Sequence, residues 1–111
     1  MVQIFINLDQ HGNPVSLEVT GHAELDERGS DVACAGISAL AQALLLGINE
    51  VLKIKSGYEV EDGNLYITLP RNLAPDVGEK ARVLFEAIIL GLEKIEELYP
   101  GRIRIIKEII C

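Results

Sequence analysis

Two side chains in this sequence have the types needed for nucleophilic acyl transfer. They are the thiol of Cys34 and the imidazole of His22, separated by a short polar stretch. A thiol beside an imidazole is the minimal equipment, because the base raises the population of the attacking thiolate. Two more residues fall close to the thiol in sequence. Asp31 lies three residues before it and Ser38 four after, so on a helix the three share roughly one face. Asp31 reads as an orienting carboxylate for His22 or as a plain helix cap. Its charge would also raise a nearby thiol's pKa, so the two roles pull in opposite directions. Each residue has an ordinary alternative: a small buried hydrophobe for Cys34 and a surface position for His22. His22, Asp31 and Cys34 lack a fourth ligand at recognisable spacing, so neither a metal nor another cofactor is expected.

The elements that must position these groups are legible from periodicity. Residues 2–9 alternate apolar and polar, as do 15–20, with His11-Gly12-Asn13-Pro14 between them as turn chemistry. This predicts an antiparallel hairpin that ends just before His22. Residues 21–30 form a polar loop with Gly21 and Gly29 near its ends, long enough to return His22 toward Cys34. A helix follows. Ile37, Leu40, Ala41, Leu44, Ile48, Val51 and Leu52 recur at helical spacing. With Ser30 or Asp31 as N-cap, Cys34 falls in the first turn, where unpaired N–H groups and the helix dipole favour a thiolate and would serve an oxyanion. A second stripe of small residues, Gly36, Ala39, Ala43 and Gly47, implies close approach of another helix or chain. Lys53, Lys55 and Gly57 suggest the helix end.

Glu61-Asp62-Gly63-Asn64 between short alternating runs predicts a second hairpin. Asp76-Val77-Gly78-Glu79 resembles a capping box opening a helix that carries Ala81, Leu84, Phe85, Ile88, Leu92, Ile95 and Tyr99 on one face. Pro100-Gly101 stops it, and residues 102–107 alternate as a last strand. The order is ββαββαβ. We expect one α+β domain spanning residues 1–111, with two helices packed on one face of a mostly antiparallel sheet.

Composition narrows the function. The chain has 111 residues, 49% of them apolar, which suits a single packed domain. Its net charge is −7 and only 5% of residues are aromatic. Both features argue against a nucleic-acid partner and leave room for a basic one. Two cysteines, Cys34 and Cys111, are too few for a disulfide scaffold. No signal peptide is visible. The run Leu40–Ile48, interrupted by Gln42, reads as too short for a membrane span. A cytoplasmic location with reduced thiols is the expectation.

The stretch Gly21-His22-Ala23, then a loop, then Gly29-Ser30-Asp31-Val32-Ala33-Cys34-Ala35-Gly36-Ile37-Ser38-Ala39-Leu40 resembles the ribosomal-processing cysteine protease family, Prp. That family's pattern is Gly-His-Ala, a glycine-containing loop, and Gly-x-Asp-x-x-Cys-Ala-x-x-Ser-Ala-Leu. One departure is Ala33, where a larger aliphatic residue is usual. The similarity extends to the length, the first hairpin and the ββαβ tail. The resemblance implies that Cys34 is the nucleophile and His22 the base. Asp31 and Ser38 would support the site, and Gly21 and Gly29 would let the intervening loop move and order on substrate. The implied substrate is the N-terminal extension of large-subunit ribosomal protein L-twenty-seven, with an apolar, aromatic-containing stretch before the cut. A homodimer is implied as well. The competing reading is a non-catalytic module that binds a ribosomal protein during ribosome assembly.

Overall fold

The computed structural model describes residues 1–21 and 28–110. Two hairpins and two helices follow the expected order. Strand β1 covers Val2–Leu8 and β2 Pro14–Thr20; helix α1 covers Arg28–Leu46. Strands β3 (Gly57–Glu61) and β4 (Asn64–Thr68) precede helix α2 (Pro75–Leu98) and strand β5 (Ile103–Ile109). The five strands form one sheet in the order β3-β4-β2-β1-β5. Every neighbouring pair is antiparallel except β1 and β5. The α+β reading therefore holds.

The register explains the core. Ile4 pairs with Val19 and Ile105, and Val19 with Leu65, so one row of branched apolar side chains crosses the sheet on a single face. Ile6, Leu17 and Ile67 make the next row and are fully buried. Both helices cover this face through Ile37, Ala41 and Leu44 of α1, with Ile48 just beyond its end, and Ala81, Phe85, Ile88 and Leu92 of α2. The opposite face carries polar groups at its centre. There Asn7 donates its side-chain N–H to Ser16 Oγ at 2.8 Å, which satisfies the buried Ser16.

The small-residue stripe on α1 is partly a helix–helix contact. A Cβ placed on Gly36 would lie 3.0 Å from Ile95 Cδ1, and one on Gly47 2.5 Å from Leu84 Cδ2. On α2, a Cβ at Gly91 would lie 3.0 Å from Leu40 Cδ1. The contacts run in opposite directions along the two helices, so α1 and α2 pack antiparallel with three side chains seated over glycines. Ala39 and Ala43 instead face outward and are exposed.

Four local expectations are corrected. Helix α1 starts at Arg28, ahead of Ser30 and Asp31, so neither residue is its cap. It ends in a π turn, Gly47–Val51, closed by the Leu52 N–H to Gly47 C=O bond at 2.9 Å. Lys53 then takes positive φ, and Gly57 belongs to β3 rather than to a cap. Helix α2 begins with Pro75 at its first position after Ala74, which puts Asp76 in the first turn instead of at the cap. Glu79, expected to reach back to that cap, pairs forward with Arg82, which also holds Glu86 and keeps the Glu79 carboxyl below its usual pKa. Finally, residues Val32–Val51 are, by length and composition, apolar enough to cross a membrane, with mean hydropathy 1.7. The shorter run considered from sequence understated this helix. Its inner stripe is core, which accounts for part of that apolarity.

Candidate functional site

Three elements meet where β2 ends. Gly21 has φ +84 and donates its N–H to Gly63 C=O at 3.0 Å, pinning the end of β2 to the β3–β4 turn. A Cβ there would lie 2.8 Å from the Met1 carbonyl oxygen, so only glycine fits this left-handed, crowded position. The flank of α1 closes the third side. Between them lies a cavity of about 260 Å³.

Cys34, partly buried, lines this cavity, and Ser38 lines it one turn further along the same flank. Gly21 lines it too, and His22 is the next residue in the chain. The floor is apolar, made by Val2, Val19, Ile37, Ala41 and Leu65. The far wall is the second hairpin, whose turn places Glu61 and Asp62 at the cavity. The site thus combines a thiol, a hydroxyl, an apolar floor and an acidic wall. A hollow with such a floor suits an apolar side chain.

Of the residues singled out from sequence, the structure brings Cys34, Ser38 and Gly21 to one cavity. His22 lies outside the described residues, and with it the expected return of the 22–27 segment toward Cys34. Gly29 and Asp31 belong to the first turn of α1; the Asp31 side chain lies outside what is described, as does Cys111. Cys34 itself is corrected from the first turn to the second. The N–H groups left unpaired at a helix start belong to its first four residues, here 28–31. The helix start therefore does not place an open N–H at Cys34, and the dipole's influence fades beyond the first turn.

Gln42, Glu61 and Asp62 were not anticipated at the site. Gln42 is two helical turns from Cys34 and could have been found by extending the Cys34–Ser38 flank by one more step. The hairpin residues carried only a turn signal, since their approach to Cys34 depends on how β3 and β4 pack beside α1. Among the described residues, no group of three His, Cys, Asp or Glu side chains could hold a metal ion.

Comparison with known proteins places this arrangement. The family model for the cysteine protease Prp matches residues 1–104. The ribosomal processing cysteine protease Prp of Bacillus subtilis is 34% identical, with 99% of this chain and 100% of that protein aligned. The Staphylococcus aureus protein of the same description is 26% identical over 95% of this chain and 97% of its own length. Among solved structures, SMU.848 from Streptococcus mutans superposes with a TM-score of 0.84 at 27% identity, covering 99% of this chain and 96% of that one. The Staphylococcus aureus Prp structure with a covalently linked product peptide shares the fold, with a TM-score of 0.81 at 24% identity over 96% of this chain and 99% of that one. A thiol lining an apolar-floored cavity, in a chain that matches one protease family almost end to end, makes this protein a cysteine endopeptidase of the Prp family.

Proposed function

We propose that this endopeptidase removes the N-terminal extension of large-subunit ribosomal protein L-twenty-seven, with Cys34 as nucleophile and His22 as base. The observation that carries the reading is the position of Cys34 on the wall of an apolar-floored cavity that Gly21, the residue before His22, also lines. The names of the Bacillus and Staphylococcus relatives support ribosomal processing as the task. In the proposed reaction His22 takes the thiol proton and Cys34 Sγ attacks the scissile carbonyl carbon. The peptide C–N bond breaks, the amine leaves with the proton from His22, and a thioester remains. Water then hydrolyses the thioester and regenerates the thiol. Ser38 supplies a hydroxyl to the same wall, and Asp31 supports the site from the first turn of α1.

The substrate's body fits the charge. A net charge of −7, with Glu61 and Asp62 at the cavity, attracts a basic ribosomal protein and speeds encounter. The reaction belongs in the cytoplasm, where ribosomal proteins are made and thiols stay reduced. We also assign a homodimer to the outer faces of the two helices. Val32, Ala35, Ala39, Ala43 and Leu46 make an uncharged exposed stripe on α1, and Val83 and Leu90 are exposed on α2 alongside Glu86 and Lys94. An exposed apolar stripe of this kind marks an association site. Leu90→Glu should shift sedimentation from dimer to monomer; a wild type that sediments as a monomer would overturn the dimer.

The test of the activity is cleavage of a synthetic peptide spanning the extension and the first residues of the mature protein. Wild type should cut it at one bond, and Cys34→Ala should leave it intact.

A further inference from the structure

We propose that the open face of the sheet, the one turned away from both helices, is a second recognition surface, which docks the basic body of the ribosomal protein through its arginine and lysine side chains. The proposal rests on the processing reading above for the identity of that partner. The surface itself is separate from the cavity at Cys34 and recognises the part of the substrate that is kept, not the extension.

Strand register builds this face. Ile106 of β5 pairs with Phe5 of β1, Phe5 with Glu18 of β2, Glu18 with Tyr66 of β4, and Tyr66 with Glu59 of β3. These five residues form one row across the whole sheet. Their chain neighbours Ile4, Ile6, Leu17, Leu65 and Ile67 are buried under the helices, so the row points the other way. Among the described residues no element covers it. A solvated sheet face is ordinarily polar, whereas this row interleaves two aromatics and an isoleucine with carboxylates.

The charge here is uncompensated. Among the strand residues of this face, Glu18, Glu59, Glu61 and Glu108 stand against Arg104. Arg104 is on β5, two strands from Glu18 and four from Glu59. On α2, by contrast, Glu79 and Glu86 pair with Arg82, Glu93 with Lys107 and Glu97 with Lys94. None of the four open-face glutamates has an ion-pair partner among the described residues.

Glu18 and Glu59 flank Tyr66 in a hollow of about 360 Å³ that Gly57, Tyr58 and Asn64 complete. Its only charged side chains are the two carboxylates; Lys55 lines a different hollow, at the end of α1. With neighbouring strands about 4.8 Å apart, the backbones bearing the carboxylates are about 10 Å apart with the phenol between them. A guanidinium laid on Tyr66 can therefore donate to a carboxylate on either side. Asn64 Oδ1 adds an acceptor that is buried without a hydrogen-bond partner among the described residues. Such a set of acceptors matches arginine and lysine, which only donate. Asn64 also lines the cavity at Cys34, so the two hollows adjoin at the β3–β4 turn and one substrate can reach both. This charge repels nucleic acid, and a second copy would set the same carboxylates against one another. The dimer assigned to the helices leaves the face open.

The experiment compares the whole unprocessed ribosomal protein with a peptide holding only the extension and the first few residues after the cut. For wild type at low salt, kcat/KM should be about ten-fold or more higher on the whole protein, and the advantage should shrink as salt rises. Glu18→Gln with Glu59→Gln, and separately Tyr66→Ser, should remove most of that advantage through KM and leave the peptide unaffected, whereas Tyr66→Phe should keep it. Glu50→Gln with Glu97→Gln removes the same charge away from this face and should cost no more than about two-fold on the whole protein. An equal loss on both substrates, an equal loss for the Glu50 and Glu97 pair, or no loss for the open-face variants would overturn the proposal. Binding is read separately, by titrating the mature ribosomal protein, which lacks the extension, with Cys34→Ala protein and following fluorescence anisotropy. Adding Glu18→Gln and Glu59→Gln should weaken that binding about five-fold or more. Unchanged affinity, or a change of sedimentation caused by the two substitutions, would overturn the proposal. If wild type cuts neither substrate, the processing reading fails and the titration alone decides whether the face holds a basic protein.

Discussion

Gly21 is the point at which the fold and the proposed chemistry meet, and replacing it by alanine gives a stability change with two separable parts. The first is conformational. Its φ of +84 lies in the left-handed region, where an L residue costs about 1–2 kcal/mol. The second is steric. The new Cβ would sit 2.8 Å from the Met1 carbonyl oxygen, a backbone atom held in place by the next residue, since the Val2 N–H is bonded to Arg102 C=O at 3.0 Å. The contact cannot relax by a rotamer change; β1 or the end of β2 must shift. A smaller opposing effect comes from the unfolded chain, which alanine restricts by about 0.4–1 kcal/mol. We expect a net loss of roughly 2–3 kcal/mol for Gly21→Ala, the upper part of the range for single substitutions. Gly12→Ala and Gly101→Ala isolate the conformational part. Both glycines have φ near +80 with nothing within 4 Å of an added Cβ, so each should cost only about 1 kcal/mol. Urea unfolding followed by circular dichroism measures all three. Gly21→Ala no worse than the two controls would refute the steric argument and the account of how β2 delivers the chain to His22.

Other expectations follow from the same structure. Phe85, fully buried under the sheet, should cost about 3–5 kcal/mol on truncation to alanine, read as a lower urea midpoint with an unchanged slope. Asp9 accepts N–H bonds from Asn13 and His11 at 2.9 and 2.8 Å, the Asn13 bond being the larger influence, and its pKa is lowered. A depressed carboxyl contributes stability that is present above its unfolded pKa, about 3.9, and is lost as pH falls through the lower folded value. Asp9→Ala should therefore be less stable than wild type at neutral pH and should converge with it in acid, by thermal melts across pH; a constant gap would contradict the assignment.

Much of this architecture could be read from residue patterns, because its decisive signals are local. Asp62-Gly63 turns the second hairpin with Gly63 at positive φ, and Gly12 does the same in the first. The alternation of Val2, Ile4 and Ile6 matches the buried face of β1. Capping was less legible. Asp76 looked like the start of α2, but Pro75 at the first helical position governs it, and no side chain caps that end. At α1 the expected cap at Ser30 or Asp31 lies inside the helix, so Cys34 sits a full turn deeper than its spacing suggested. The glycines at 36 and 47 signalled close approach, yet their partners Ile95 and Leu84 are some forty to sixty residues away and became visible only once α2 was in place. The acidic wall of the cavity was illegible for the same reason: Glu61 and Asp62 meet Cys34 only through the packing of β3 and β4 beside α1.

The central claim is that Cys34 and His22 cut the extension of ribosomal protein L-twenty-seven. Mass spectrometry of the extension peptide incubated with wild type, Cys34→Ala and His22→Ala, at protein concentrations where each variant binds the peptide, tests it most directly. The account predicts two fragments from cleavage at a single bond with wild type and intact peptide with both variants. Cleavage by Cys34→Ala at the wild-type rate, or binding by wild type without any cleavage, would contradict it; the second outcome is what a non-catalytic ribosomal-protein binder would give.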